Sequence, residues 1–128
     1  MKIRISGNSL RLRLSVSEVE EFERNGRVND SVQFGLGTTP TLTYSLRRSE
    51  AIGNVNAEFY DNQILISIPA AEADEWARTD TIGITATQGL NGSGILRILI
   101  EKDFVCLNKR PHVDETDLYP HPNAQGVC

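Results

Sequence analysis

Lys2-Ile3-Arg4-Ile5-Ser6-Gly7-Asn8-Ser9-Leu10-Arg11-Leu12-Arg13-Leu14 is the stretch that decides the fold. Ile3 and Ile5 alternate with Lys2, Arg4 and Ser6. Leu10, Leu12 and Leu14 alternate with Ser9, Arg11 and Arg13, so a period of two runs on both sides of Gly7-Asn8. A Gly-Asn pair tolerates the positive φ angles of a two-residue hairpin turn. With that turn, Ser6 pairs Ser9, Ile5 pairs Leu10 and Ile3 pairs Leu12, and every apolar residue falls on one face. The same register sets Lys2 opposite Arg13 and Arg4 opposite Arg11 on the other face.

The hairpin recurs. Moving the chain by 54 positions lays residues 2–48 on 56–102 without a gap. Leu10, Leu12 and Leu14 then fall on Ile64, Ile66 and Ile68, Phe22 on Trp76, Val28 on Ile82, and Leu42, Tyr44 and Leu46 on Leu96, Ile98 and Ile100. Asp61-Asn62 takes the place of the first turn, so Phe59 pairs Ile64 and Ala57 pairs Ile66. Repetition of residue class over a fixed offset points to a duplicated unit.

Between the hairpins each unit carries a helix. Ser15-Val16-Ser17-Glu18 is a capping box, Val16, Val19 and Phe22 form a stripe, and Asn25-Gly26 supplies the left-handed stop. In the second unit Pro69 opens the helix and Ala73, Trp76 and Ala77 make the stripe. Strands are expected over 28–35, 41–47, 81–87 and 95–101. The last reads Ile-Leu-Arg-Ile-Leu-Ile-Glu, a nearly continuous apolar run that suits a central strand. The fold class is α+β: two ββαββ repeats about a pseudo-twofold axis. They form a mostly antiparallel twisted sheet or half-barrel of about eight strands with two helices. Residues 1–103 are read as a single duplicated domain (repeat one 2–48, repeat two 56–102) and residues 104–128 as an irregular strap packed on it.

The chain has 128 residues, with 13 basic and 17 acidic side chains and a net charge of −4. That balance argues against a nucleic-acid or membrane-surface binder. No apolar run reaches the roughly 18 residues of a membrane span. Met1–Ser6 has no apolar run or small-residue cleavage site, so no export signal is expected. Two cysteines, Cys106 and Cys128, are too few for a disulfide scaffold and are expected as reduced thiols in a cytoplasm.

Lys2, Arg4, Arg11 and Arg13 form a candidate anion-binding or tail-docking face, since like charges directly opposite on a sheet repel and need a partner. Asp114, Glu115 and Asp117, lying across that face, are the expected intramolecular partner. A candidate metal set is Cys106, His112, Asp114 and Asp117, with His121 nearby; the spacing matches no zinc ribbon or finger. Cys106 could act as a nucleophile with His112 or His121 as base, but no motif positions either, and a small apolar filler is the plainer reading. Gly35-Leu36-Gly37 lacks the lysine and following helix of a phosphate loop, and Gly92-Ser93-Gly94 reads as a flexible turn. Nothing calls for a cofactor.

In the tail, Pro111, Pro120 and Pro122 end the periodicity, while Phe104, Leu107, Leu118 and Tyr119 offer anchors. Lys2–Arg11, Thr43-Tyr44, Glu101-Lys102-Asp103-Phe104-Val105-Cys106-Leu107 and the closing Asp114-Glu115-Thr116-Asp117-Leu118-Tyr119-Pro120 together resemble an uncharacterised family of short bacterial proteins, a domain of unknown function. The family closes on Tyr-Pro-Asn-Pro where this chain has Tyr119-Pro120-His121-Pro122, which weighs against a shared role for His121. The resemblance implies a bacterial cytoplasmic protein and carries no activity.

The leading functional expectation is a small cytoplasmic, non-enzymatic binding or protein-interaction module whose partner is a protein or a small anionic ligand. The competing reading is a small hydrolase or metal-dependent enzyme with its site between the acidic tail and the sheet. A deep pocket lined by Asp103, His112 and Asp114 would favour it. A third reading is a homodimer through a sheet edge or an exposed Leu65 face.

Overall fold

The computed structural model describes residues 1–37, 41–105 and 116–120. Gly7 takes φ 55°, and Asp61 and Asn62 take 49° and 58°, which closes the two hairpins expected from the sequence. β1 (Lys2–Ser6) pairs β2 (Ser9–Leu14) antiparallel with Ile3 on Leu12 and Ile5 on Leu10. β5 (Asn56–Tyr60) pairs β6 (Gln63–Pro69) with Ala57 on Ile66 and Phe59 on Ile64. The remaining strands are β3 (Arg27–Gln33), β4 (Thr41–Ser49), β7 (Gly83–Gly89) and β8 (Ile95–Lys102), which form two more antiparallel hairpins.

Helix α1 (Val16–Asn25) starts on the reciprocal cap: Ser15 Oγ accepts from the Glu18 amide and the Ser15 amide donates to Glu18 Oε1 at 2.9 Å. Gly26, at φ 72°, ends it. Helix α2 (Ala70–Arg78) follows Pro69 with no side-chain cap. β1, β2, α1 and β4 begin 54 residues before β5, β6, α2 and β8, so the arrangement of strands and helices is repeat-like.

The strands do not form one sheet. The first sheet runs β1-β2-β8-β7 and the second β3-β4-β6-β5. Each repeat gives one hairpin to each sheet, because its helix carries the chain from one sheet to the other. The central pairs, β2 with β8 and β4 with β6, are parallel and join the two repeats. Both sheets are therefore mixed, although most pairings are antiparallel as expected. β8 is central in its sheet, which accounts for its apolar run.

The helix stripes and the inner strand faces share one core. Leu12, Leu14, Leu46, Ile66, Ile68, Ile100, Phe22 and Trp76 are all buried. Phe22 and Trp76, which occupy equivalent positions in the two repeats, meet edge to face at 5.9 Å. The Trp76 indole N–H donates to the Ile82 carbonyl at 3.0 Å, so its one polar atom is satisfied. Leu65, expected on an exposed face, is instead buried at 2% exposure. It sits on a central strand between Ser45 and Glu58, and this removes the dimer surface assigned to it.

The edge strands of the two sheets meet at two seams. At β5/β7 the Gln88 side-chain amide accepts from the Ala57 N–H at 2.7 Å and donates to the Ala57 carbonyl at 3.0 Å. At β1/β3 the terminal amine of Met1 pairs with Asp30 at 3.2 Å and with Glu18, while the Tyr44 hydroxyl donates to the Met1 carbonyl at 2.8 Å. Burial, with Asp30 and Glu18 nearby, pushes the Tyr44 pKa up.

Candidate functional site

The outer face of the first sheet is a grid fixed by strand register. One row reads Lys2, Arg13, Glu101 and Gly83 across β1, β2, β8 and β7. The next reads Arg4, Arg11, Leu99 and Thr85, and the third Ser6, Ser9, Arg97 and Thr87. Neighbouring strands lie roughly 4.8 Å apart, so the side chains of each row lie side by side. Five cations and one carboxylate share this face of a protein that is acidic as a whole.

The structure divides these cations into two groups. Arg11 and Arg13 both donate from Nε to Glu101 Oε1, at 2.5 and 2.7 Å. Glu101 is only 15% exposed and is held by both guanidiniums, which offsets the like-charge pairs opposite one another in β1 and β2. Lys2 reaches Asp103 at 2.7 Å. Asp103 is itself buried: its N–H donates to the Leu14 carbonyl and its carbonyl accepts from the Tyr119 N–H, each at 2.8 Å. Among the described residues, Arg4 and Arg97 form no ion pair.

Arg4, Arg11 and Arg97 border a groove of about 330 Å³ floored by Leu99 and closed on one side by Thr85. Chemically this is an apolar floor between guanidiniums, two of which have no carboxylate among the described residues. It suits a carboxylate or phosphate attached to an apolar body. Of the four cations expected here, Arg4 and Arg11 line the groove, while Lys2 and Arg13 belong to the paired row beside it. Arg97, Glu101 and Thr85 were missed. Alternation in β8 already put Arg97, Leu99 and Glu101 on a common face, but β8 had not been paired with β2.

Among the described residues, the intramolecular partners of the basic face are Glu101 and Asp103. Asp117, expected across that face, lies instead at the start of α1. Its carboxylate accepts from the Ser17 N–H at 3.1 Å and the Ser17 hydroxyl at 2.5 Å. These bonds, with the Ser15 hydroxyl nearby, hold its pKa below the usual carboxylate range. The expected placements of Asp114 and Glu115 lie outside the described residues, as do Cys106, His112 and His121 of the metal set. Among the described residues no group of three or more His, Cys, Asp and Glu could hold a metal ion. Asp103, named for a catalytic pocket, is engaged with Lys2. No helix of the described residues is long and apolar enough to cross a membrane.

Residues 116–120 return to the domain as the strap reading expected. Phe104 and Tyr119 form a parallel bridge and a tilted ring pair at 5.8 Å, and Tyr119 packs on the core.

The chain belongs to a family of unknown function (DUF7009), whose family model matches residues 1–123. No curated protein and no solved structure matches it.

Proposed function

We propose that this member of a family of unknown function is a small binding module that takes an anionic group on the outer face of the first sheet. The ligand is a carboxylate or phosphate carried by an apolar body. Arg4 and Arg97 contact the anion, Arg11 contributes while still held by Glu101, and Leu99 packs against the body. The observation that carries this is the pair of guanidiniums that flank an apolar floor and have no carboxylate partner among the described residues. A structural surface would spread such charges or pair them, as the neighbouring Lys2–Arg13–Glu101 row does. The same reading sets the module in a bacterial cytoplasm, in keeping with two cysteines in 128 residues.

Phenyl phosphate is a suitable probe. Titrated into isotope-labelled protein, it is expected to give saturable shifts at Arg4, Arg11, Thr85, Arg97 and Leu99 that weaken with added salt. Arg97→Ala and Arg4→Ala should each abolish them with the fold intact. Shifts that do not saturate, or that persist in both variants, would remove the site.

A further inference from the structure

Lys102 is the one buried lysine among the described residues, at 5% exposure. Its ammonium carries three N–H donors. One goes to the Thr79 carbonyl at the end of α2, at 2.7 Å. The others face ring systems: Nζ stands 5.9 Å from the Trp76 centroid and 5.6 Å from that of Tyr119. No carboxylate of the described residues lies within ion-pair distance of it. The amine opens on a cavity of about 350 Å³ lined by Arg78, Asp80, Phe104 and Tyr119 among others. Arg78 is turned to Glu23 at 3.1 Å, and Asp80, the carboxylate among the described residues lining the cavity, forms no ion pair with them.

We propose that Lys102 is a site of imine chemistry, taking a small aromatic aldehyde into this cavity as a covalent adduct. The donor count favours the product over the resting ammonium. A protonated imine has a single N–H, which the Thr79 carbonyl satisfies, and its positive charge stays over the same two ring faces. The cavity volume and its Phe104 and Tyr119 walls suit an aryl group. Burial also lowers the Lys102 pKa, which enlarges the neutral, nucleophilic fraction.

The step balances without an outside oxidant or reductant. The Lys102 ammonium gives one proton to the Asp80 carboxylate through solvent, and the Nζ lone pair adds to the carbonyl carbon. The C=O π pair moves to oxygen, which takes through solvent one of the two protons left on Nζ, giving the neutral carbinolamine. Protonation of that hydroxyl by Asp80 releases water as the nitrogen lone pair forms the C=N bond. Ammonium and aldehyde have then become protonated imine and one water, and Asp80 is again a carboxylate.

The test uses the full chain with benzaldehyde and sodium cyanoborohydride at neutral pH, followed by peptide mapping. The chain has three lysines, Lys2, Lys102 and Lys109, so the assignment is unambiguous. Lys102 is expected to be alkylated at least about tenfold faster than Lys2. Asp80→Asn should slow Lys102 several-fold and leave Lys2 unchanged, a split that a purely structural Asp80 would not give. Labelling of Lys102 no faster than Lys2, or only after urea unfolding, would overturn the assignment.

Discussion

Replacing Glu101 with Gln separates stability from binding, because one carboxylate holds two arginines of the basic face. Glu101 Oε1 accepts from Arg11 and Arg13, and the isosteric amide keeps the shape while removing the charge. Each charge-assisted bond of this kind contributes about 1.5–3 kcal/mol when well shielded. Glu101 is 15% exposed, but Arg11 and Arg13 are 31% and 37% exposed, so solvent screening reduces that figure. The Lys2/Arg13 and Arg4/Arg11 pairs, directly opposite in the sheet, would then repel without compensation. The net expected loss is about 1–3 kcal/mol. In a chain of this size that lowers Tm by about 3–10 °C. Binding should move the other way, since the variant frees Arg11 beside Arg4 and Arg97. Urea unfolding with and without phenyl phosphate reads both effects, because ligand bound only to the native state adds stability by mass action. The variant should unfold at lower urea with an unchanged slope, recover part of the loss in added salt, and gain more from the ligand than the parent does. Equal stability at low salt, or a smaller ligand-induced gain than the parent's, would refute the charge balance drawn for this face.

Trp76→Ala removes half of the Phe22–Trp76 contact and should cost about 3–5 kcal/mol, seen as a lower urea midpoint. Ser15→Ala removes the α1 cap and should cost about 0.5–2 kcal/mol by the same assay. Asp117 has its folded-state pKa lowered, so its stabilising effect is present above the usual carboxylate range and is lost as pH falls through the folded value. Asp117→Asn should flatten that acid-side loss in thermal melts. Lys102 is also lowered, from 10.5, but the sign reverses for a base. The folded state carries a penalty while the amine is charged, and stability rises as pH climbs from the folded value towards 10.5. Lys102→Met should abolish that alkaline rise, and an unchanged rise would assign it to another group.

What could be read directly from the sequence was local. Period two around Gly7-Asn8 and Asp61-Asn62 set both hairpin registers, and Ser15 with Glu18 set the start of α1. Each of these depends on residues within about a dozen positions of one another. Division into two sheets was not legible, because it depends on β2 meeting β8, and β4 meeting β6, in parallel. Nothing in an amphipathic helix specifies which sheet its exit strand joins. The errors at the site follow from that gap. Without β8 beside β2, Glu101 could not be seen as the partner of Arg11 and Arg13, and Asp117, which holds the start of α1, was set across the face instead. Leu65 was placed in the open because period two points it away from the core, yet it is buried between Ser45 of β4 and Glu58 of β5.

Cross-strand proton contacts in labelled protein test the exchange of hairpins between repeats most directly. Contacts stepping in parallel from Leu10–Ile98 to Leu12–Ile100, and from Tyr44–Ile64 to Leu46–Ile66, are expected. Contacts joining β2 to β3 or β4 of its own repeat, with none to β8, would contradict the two-sheet arrangement and the basic groove built on it.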